Sequence, residues 1–287
     1  MKIGALDCSL KKPLPATLKK FQEMGVQGVQ IFTAPEYLLY GKERLSDIRK
    51  MCADCGLVVS AVCGDVAWSH FGVEAEWQDR IMVHERVVDI ACQLDTKIIT
   101  THIGVVPDDE ADPVFQMMVK SIRKAAEISA AQGTCIAVET GPEKAETLLK
   151  LLEAVDSKGL GVNLDPANLA MVTADDPVKA VYTLRDYIVH THAKDGVNLK
   201  ACDRHKIYGF FATGGDGGDL RDMPIWEYFK EVPLGQGSVD FDAYLAALAD
   251  IGYKGYLTIE REVGADPAAD IGLAVNFLKE KTAKYEL

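Results

Sequence analysis

The stretch CIAVETGPEKAETLLKLLEAVDSKGLGVNLD, residues 135–165, contains an apolar run, an amphipathic segment and a second apolar run in succession. Cys135–Glu139 and Leu160–Asp165 have the length and alternation of strands, and Lys144–Val155 has its apolar residues at helical spacing. A strand, a helix and a further strand in this order predict a repeated unit with a parallel sheet.

The same unit recurs along nearly the whole chain. Eight strands, each followed by a helix, predict an α/β fold with one (β/α)8 TIM barrel spanning residues 1–287. A doubly wound open sheet would usually carry a Gly-rich phosphate turn after its first strand, and Asp7–Lys11 has no such turn. The predicted strands are Lys2–Leu6, Gly28–Phe32, Leu57–Val62, Lys97–His102, Cys135–Glu139, Leu160–Asp165, Tyr187–His192 and Gly255–Glu260, and the predicted helices are Pro15–Met24, Glu43–Cys55, Asp79–Gln93, Asp112–Gln132, Lys144–Val155, Pro177–Arg185, Asp240–Ile251 and Pro267–Lys281.

Length and charge narrow the class of protein. The chain has 287 residues, a net charge of −12 and 48% hydrophobic residues, which is a globular composition. The acidic balance argues against nucleic acid as a partner, because phosphate binding needs clustered Lys and Arg. No apolar stretch reaches the length of a membrane span, and the N-terminus lacks a signal peptide. We therefore expect a cytoplasmic protein with no membrane partner.

The segment between the seventh strand and its helix is much longer than the others. It runs over residues 195–239, and we interpret it as an inserted loop with aromatic residues, either a lid over a substrate or an interface with a second subunit. Both roles are compatible with a homo-oligomer. Within it, the glycine-rich Thr213–Gly218 is interpreted as a hinge.

Four neighbouring strands end in residues that ligate metals. Because side chains alternate between the two faces of a strand, taking the last residue as inward places the side chains of Glu139, Asp165, His192 and Glu260 together at the C-terminal mouth of the barrel. Three carboxylates that lie close together repel one another unless a cation neutralises them. The pattern predicts one divalent metal ion. Mn²⁺ is the preferred candidate, and Mg²⁺, Co²⁺ and Zn²⁺ are alternatives. His190 lies two residues deeper on the same face and is predicted to support the site rather than to bind the metal.

Five segments resemble the xylose isomerase-like TIM-barrel family of sugar phosphate isomerases and epimerases. In similar proteins the positions matching Glu139, Asp165, His192 and Glu260 hold one catalytic metal, commonly manganese. Two positions depart from the ketose 3-epimerases of the family, since Asn168 stands where His is usual and Asn198 where Arg is usual. The matching segments are Val138–Thr140, Asn163–Leu169, Ile188–Asp195, Gly235–Phe241 and Thr258–Glu260.

The residues and the resemblance together predict a metal-dependent isomerase or epimerase of a sugar or sugar phosphate. Glu139 and Glu260 are the predicted catalytic pair, which takes a proton α to a carbonyl and returns it. His102, Asn168 and Lys194 are predicted to orient substrate oxygens. Their alternative interpretations are a structural histidine at the mouth, a cap at a helix start and a surface lysine.

Three other functions use the same barrel. A metal-dependent lyase or dehydratase acting on an inositol ketone or a 3-keto-glycoside would expel a leaving group β to the carbonyl. An endonuclease IV-like phosphodiesterase needs a three-metal cluster with further histidine ligands, and the chain has six histidines in all. A non-catalytic scaffold would show no turnover.

Overall fold

The computed structural model describes residues 1–65, 71–205, 207–208 and 224–285. Within them, eight parallel strands close into a barrel. The barrel strands are β1 (Lys2–Leu6), β2 (Gly28–Phe32), β3 (Val58–Cys63), β4 (Ile98–Thr101), β5 (Cys135–Glu139), β6 (Leu160–Leu164), β7 (Ile188–Ala193) and β10 (Tyr256–Ile259), and β8 (Asp195–Asn198) and β9 (Phe229–Val232) lie outside the barrel. The spatial order around the barrel is β1-β10-β7-β6-β5-β4-β3-β2, and β2 pairs with β1 to complete the ring.

Helices follow the barrel strands, as the sequence predicts, so the single (β/α)8 barrel is confirmed. The principal α-helices are Leu14–Met24, Lys42–Asp54, Trp77–Gln93, Pro113–Ala131, Ala145–Val155, Pro177–Thr183, Phe241–Asp250 and Pro267–Thr282. After β6 the chain first makes a short α-helical turn, Pro166–Asn168, and a π-helical turn, Leu169–Thr173. In the described part of the chain no helix has the length and apolar character of a membrane span.

The ends of the barrel strands differ from the predicted bounds by at most one residue. Asp165, for example, lies just outside β6 because its carboxylate caps the next helical turn, where Oδ1 accepts the backbone N–H of Asn168 at 2.8 Å. Its side chain still lies at the mouth of the barrel.

The barrel is apolar under its helices and polar in its interior. Ile136, Val138 and Leu257 are at most 1% exposed and belong to the main hydrophobic core with the leucines of Ala145–Val155. Inside the barrel, His190 Nε2 lies 3.0 Å from Thr258 Oγ1 and 3.0 Å from Gln30 Oε1. These contacts across the barrel confirm the predicted inward facing of His190 and Thr258.

The described part of the 195–239 segment contains secondary structure that the sequence analysis did not predict. Strands β8 and β9 form a two-stranded antiparallel sheet, and the Asp195 carboxylate accepts backbone N–H groups of Gly235 (2.9 Å), Gly237 (2.8 Å) and Val239 (3.2 Å). The two ends of the 195–239 segment are therefore held together at the rim of the barrel. The predicted hinge, Thr213–Gly218, lies outside the described residues.

Candidate metal and substrate site

Glu139, Asp165, His192 and Glu260 come together at the C-terminal mouth of the barrel. One potential ligand atom from each lies within 4.8 Å of the others. The strand order places β6 and β7 between β5 and β10, so Asp165 and His192 lie in the middle of the group and the two glutamates lie on either side.

His192 Nδ1 is the centre of this group. It lies 3.2 Å from Glu260 Oε2, 3.4 Å from Asp165 Oδ2 and 3.5 Å from Glu139 Oε1. Both His192 Nδ1 and Asp165 Oδ2 are buried without a hydrogen-bond partner in the structure. Buried polar atoms are rarely left in this state, so two such atoms facing each other indicate a site built for a ligand.

The orientation of the His192 ring is set from below by Gln30 on β2. Gln30 Oε1 can only accept, and it lies 3.2 Å from His192 Nε2, while the Gln30 amide nitrogen donates to Thr100 Oγ1 at 3.1 Å. A proton on Nε2 satisfies this contact with Gln30 and leaves Nδ1 available as a ligand when the ring is neutral.

We expect Gln30→Leu to raise the apparent Kd for Mn²⁺ by about 10- to 100-fold, because the hydrogen bond that orients the candidate metal ligand His192 is lost. Isothermal titration with Mn²⁺ measures this change. Thr100→Val is the matched control, since it removes a partner of Gln30 and leaves the contact with His192. Equal affinities for parent and Gln30→Leu would contradict the assigned role of Gln30.

The electrostatics of the group favour a positive charge at its centre. Burial lowers the pKa of His192, but the charges on Glu260 and Glu139 raise it well above its usual range. Burial raises the pKa of Asp165, because its charge is taken out of water. A divalent cation would neutralise the same carboxylates, and three carboxylates with one imidazole form a donor set that suits Mn²⁺, Mg²⁺, Co²⁺ or Zn²⁺. The residues therefore fit a metal ion.

Lys194 is buried and does not lie on the surface. Only 4% of its side chain is exposed, and Nζ donates to Glu260 Oε2 at 3.0 Å and to Glu262 Oε2. Burial lowers the pKa of Lys194, but Glu260 and Glu262 raise it well above its usual range, so the ammonium group is charged. Of its three N–H donors, one is left for another acceptor.

His102 is held by Asp65, a residue that the sequence analysis missed. Asp65 Oδ2 lies 2.7 Å from His102 Nδ1, and Oδ1 accepts from the His102 backbone N–H at 2.8 Å and from Thr101 Oγ1 at 2.7 Å. Burial lowers the pKa of His102, but Glu139 and Asp65 raise it to about 10. The ring is therefore charged at neutral pH, and its Nε2 lies 3.8 Å from Glu139 Oε1.

Asn168 contacts Glu139 directly. Its Nδ2 donates to Glu139 Oε1 at 3.1 Å and to the Thr140 carbonyl at 3.3 Å. The cap at this helix start is Asp165, so the alternative interpretation of Asn168 as the cap is wrong.

A cavity beside this polar group is lined by polar residues and by an apolar wall. The polar side is formed by His102, Glu139, Asn168, Lys194 and Glu260, with Glu231 and Glu262 beside them. The wall belongs to a second hydrophobic cluster, separate from the main core. Its residues in the cavity are Met171, Val172, Ile207, Tyr208, Trp226 and Phe229.

Glu143 is a buried carboxyl group close to the site. It is 1% exposed, Oε2 lies 3.5 Å from the Val106 backbone N–H, and Oε1 has no hydrogen-bond partner in the structure. Burial raises its pKa to about 8, so the folded protein holds a proton here that the unfolded chain releases near pH 4.5.

We expect Glu143→Gln to become more stable than the parent as the pH rises. The raised folded-state pKa contributes stability that is complete below pH 4.5 and is lost as the pH approaches about 8. Replacing the acid by an amide removes this loss. The free energy of unfolding of the variant should therefore fall less between pH 5 and pH 9 than that of the parent. Urea unfolding at both values measures the difference, and parallel pH dependence in the two proteins would contradict the prediction.

Comparisons with known proteins agree with the fold. A crystal structure of a xylose isomerase domain protein from Planctomyces limnophilus is 26% identical, covers 99% of this chain and 97% of that chain, and superposes with a TM-score of 0.80. A D-tagatose 3-epimerase-like protein has a TM-score of 0.73 at 20% identity, covering 99% of this chain and 100% of that chain. At this level of identity the second comparison shows the fold alone.

A curated relative matches the chain in sequence. The 3-dehydroshikimate dehydratase of Pseudomonas aeruginosa is 26% identical over an alignment of 296 positions, which covers 96% of this chain and 42% of that protein. The chain spans between 36% and 63% of the length of the first three curated relatives that it matches. The profile of the family described as Xylose isomerase-like TIM barrel matches residues 18–281. The chain therefore belongs to the Xylose isomerase-like TIM barrel family.

Proposed function

We propose that this chain is a metal-dependent isomerase or epimerase that moves a proton at the carbon next to a carbonyl of a sugar or sugar phosphate. The observation that carries the proposal is the convergence of Glu139, Asp165, His192 and Glu260 on one point at the barrel mouth. These four residues would hold one divalent cation, with Mn²⁺ as the first candidate. When bound, the cation would polarise the substrate carbonyl and make the neighbouring C–H more acidic.

Glu139 and Glu260 act as the acid and base of the proposed reaction. They lie on opposite sides of the four-residue group, since their strands flank β6 and β7. One carboxylate takes the proton from carbon and the other returns it, to the same or the opposite face of the substrate.

Three side chains hold the oxygens of the substrate in this proposal. His102 and Lys194 are charged and present N–H donors toward the cavity, and Asn168 adds an amide beside Glu139. The described part of the 195–239 segment supplies Trp226 and Phe229 to the apolar wall, which keeps water from the reacting carbon. We therefore favour a covering role for this segment over a subunit interface.

A lyase or dehydratase acting on an inositol ketone or a 3-keto-glycoside is the second candidate. The relative named 3-dehydroshikimate dehydratase matches nearly the whole of this chain, which favours it. In that reaction one glutamate again takes the proton α to the carbonyl. The charged His102 ring would then donate a proton to the leaving group on the β-carbon.

Incubation of the Mn²⁺-loaded protein with candidate ketoses in D2O tests the proposal and separates the two reactions. NMR follows deuterium at the carbon next to the carbonyl. Exchange with the substrate skeleton intact supports the isomerase or epimerase, whereas exchange followed by loss of water or of an aglycone supports the lyase. A loaded protein that exchanges no candidate would contradict both.

A further inference from the structure

We infer that the substrate is an uncharged polyol ketone, free of phosphate and carboxylate groups, with one C–H face packed on the aromatic wall of the cavity. The inference rests on the proposed function and narrows its substrate class. It is carried by the charges and the apolar surface that line the cavity above the candidate metal site.

Carboxylates outnumber cations in the cavity lining. Among the described residues that line it, two are cationic, Lys194 and His102. Lys194 is bound by Glu260 and Glu262, and His102 by Asp65. Both cations are thus already neutralised by the protein. The four carboxylates in the lining are Glu139, Glu231, Glu260 and Glu262.

Arg261, which does not line this cavity but contacts Glu231, is also paired with carboxylates. Arg261 Nη1 donates to Glu231 Oε1 at 2.6 Å, and Nε donates to Asp270 Oδ2 at 2.9 Å. The arginine is 8% exposed, so it is held within the protein. A divalent cation at the mouth would at most balance the surplus carboxylates. Among the described residues, a phosphate carrying −1.5 to −2 charges would therefore meet no excess positive charge.

The apolar part of the cavity lining would penalise an ionic group as well. Trp226, Phe229 and Tyr208 line the cavity together with aliphatic side chains. Aromatic faces pack well on the C–H face of a sugar or cyclitol ring, whereas an ion placed against them loses its hydration without compensation. The lining thus matches a molecule with hydroxyl groups on one side and C–H groups on the other.

A second opening to the site contains an exposed lysine that could bind a charged group of a substrate. It lies beside the ends of β1, β2 and β3, and Lys11 is an exposed cation in its lining. A phosphate at the far end of an extended substrate would have to reach Lys11 to find a free ammonium group among the described residues that line the two openings.

Matched ligand pairs test the inference with the metal-loaded protein. We would compare D-ribulose with D-ribulose 5-phosphate, D-fructose with D-fructose 6-phosphate, and an inosose with 3-dehydroshikimate. Ligand-detected NMR titration gives Kd for each, and deuterium exchange reports reaction separately. We expect the neutral member of the best-bound pair to bind at least about 10-fold more tightly than the charged one.

Two variants test whether the charges in the cavity cause the preference for the neutral ligand. Glu262→Gln removes one surplus carboxylate and should reduce the preference for the neutral ligand by about 3- to 10-fold, while the exposed Glu153→Gln should leave it unchanged. Equal or tighter binding of the charged members overturns the inference, and loss of that binding in Lys11→Ala would show which residue holds the charge.

The two proposals fail in different ways. Binding of neutral ligands without deuterium exchange overturns the proposed function and leaves the inference supported. Exchange with a preference for charged ligands overturns the inference alone. If no member of any pair binds, both are overturned.

Discussion

Glu260→Gln and Glu139→Gln are each expected to lower kcat by at least about a thousandfold while the protein remains folded. In the proposed function each substitution removes a carboxylate that would hold the cation and exchange the substrate proton, and the loss of a positioned acid or base alone costs about 10²- to 10⁴-fold. Glutamine has nearly the same shape, and Lys194 keeps its contact with Glu262 when Glu260 is replaced. Deuterium exchange and turnover, with circular dichroism for folding, measure the effect.

The exposed Glu153→Gln variant is the control for these two substitutions and should retain full turnover. The contrary result is a parent protein with no turnover on any ketone, whose site variants differ from it in thermal stability alone. That outcome would identify the chain as a non-catalytic scaffold and remove the enzymatic proposal.

Metal removal is expected to lower the melting temperature by about 5 to 10 °C. A cation present at about 100 times its Kd stabilises the folded state by about 2.7 kcal/mol, and about 1 kcal/mol corresponds to 2 to 4 °C for a chain of roughly this size. Dialysis against a chelator followed by addition of Mn²⁺, Mg²⁺, Co²⁺ or Zn²⁺ measures this shift by differential scanning calorimetry.

Asp165→Asn should abolish most of the metal-dependent shift. The amide oxygen can still accept the N–H of Asn168, so the cap at the helix start is kept while a charged ligand is lost. Asp47→Asn, on an exposed helical position, is the matched control and should keep the full shift. Absence of retained metal in elemental analysis, together with no shift on adding any of the four ions, would refute the metal site.

The convergence of the four strand-end residues could be predicted because it follows from the geometry of strands alone. Side chains alternate along a strand, and parallel barrel strands end at one mouth, so the last residues of neighbouring strands must meet there. The assignment of Glu139, Asp165, His192 and Glu260 to one group needed no knowledge of the loops. Their roles as ligands and catalysts remain proposals.

Other parts of the site depend on contacts between distant segments. Gln30 contacts His192 across 162 positions of sequence, and Asp65 binds His102 across 37. Alternation marks such residues as inward or as strand ends but does not say which partner each will meet. The one available signal for Asp65 was its position two residues after the last residue of an apolar strand, Cys63, at the same mouth as His102.

The pairing of β8 with β9 could not be predicted from the sequence, for a different reason. A hairpin is recognised by a short turn between two alternating runs, and these strands are separated by residues 199–228. Lys194 was likewise ambiguous, because a lysine after a strand is usually solvated and only the carboxylates of Glu260 and Glu262 explain its burial.

The Asp195 carboxylate that joins the two ends of the 195–239 segment has an evolutionary consequence. Because one side chain fastens both ends, insertions and deletions between them need not shift β7 or the helix Phe241–Asp250. The barrel and its mouth can then stay constant while the sequence and length of the segment between these two ends vary. Under the proposed covering role, differences in substrate preference among paralogues should accordingly concentrate in this segment, while the barrel below it keeps the same site residues.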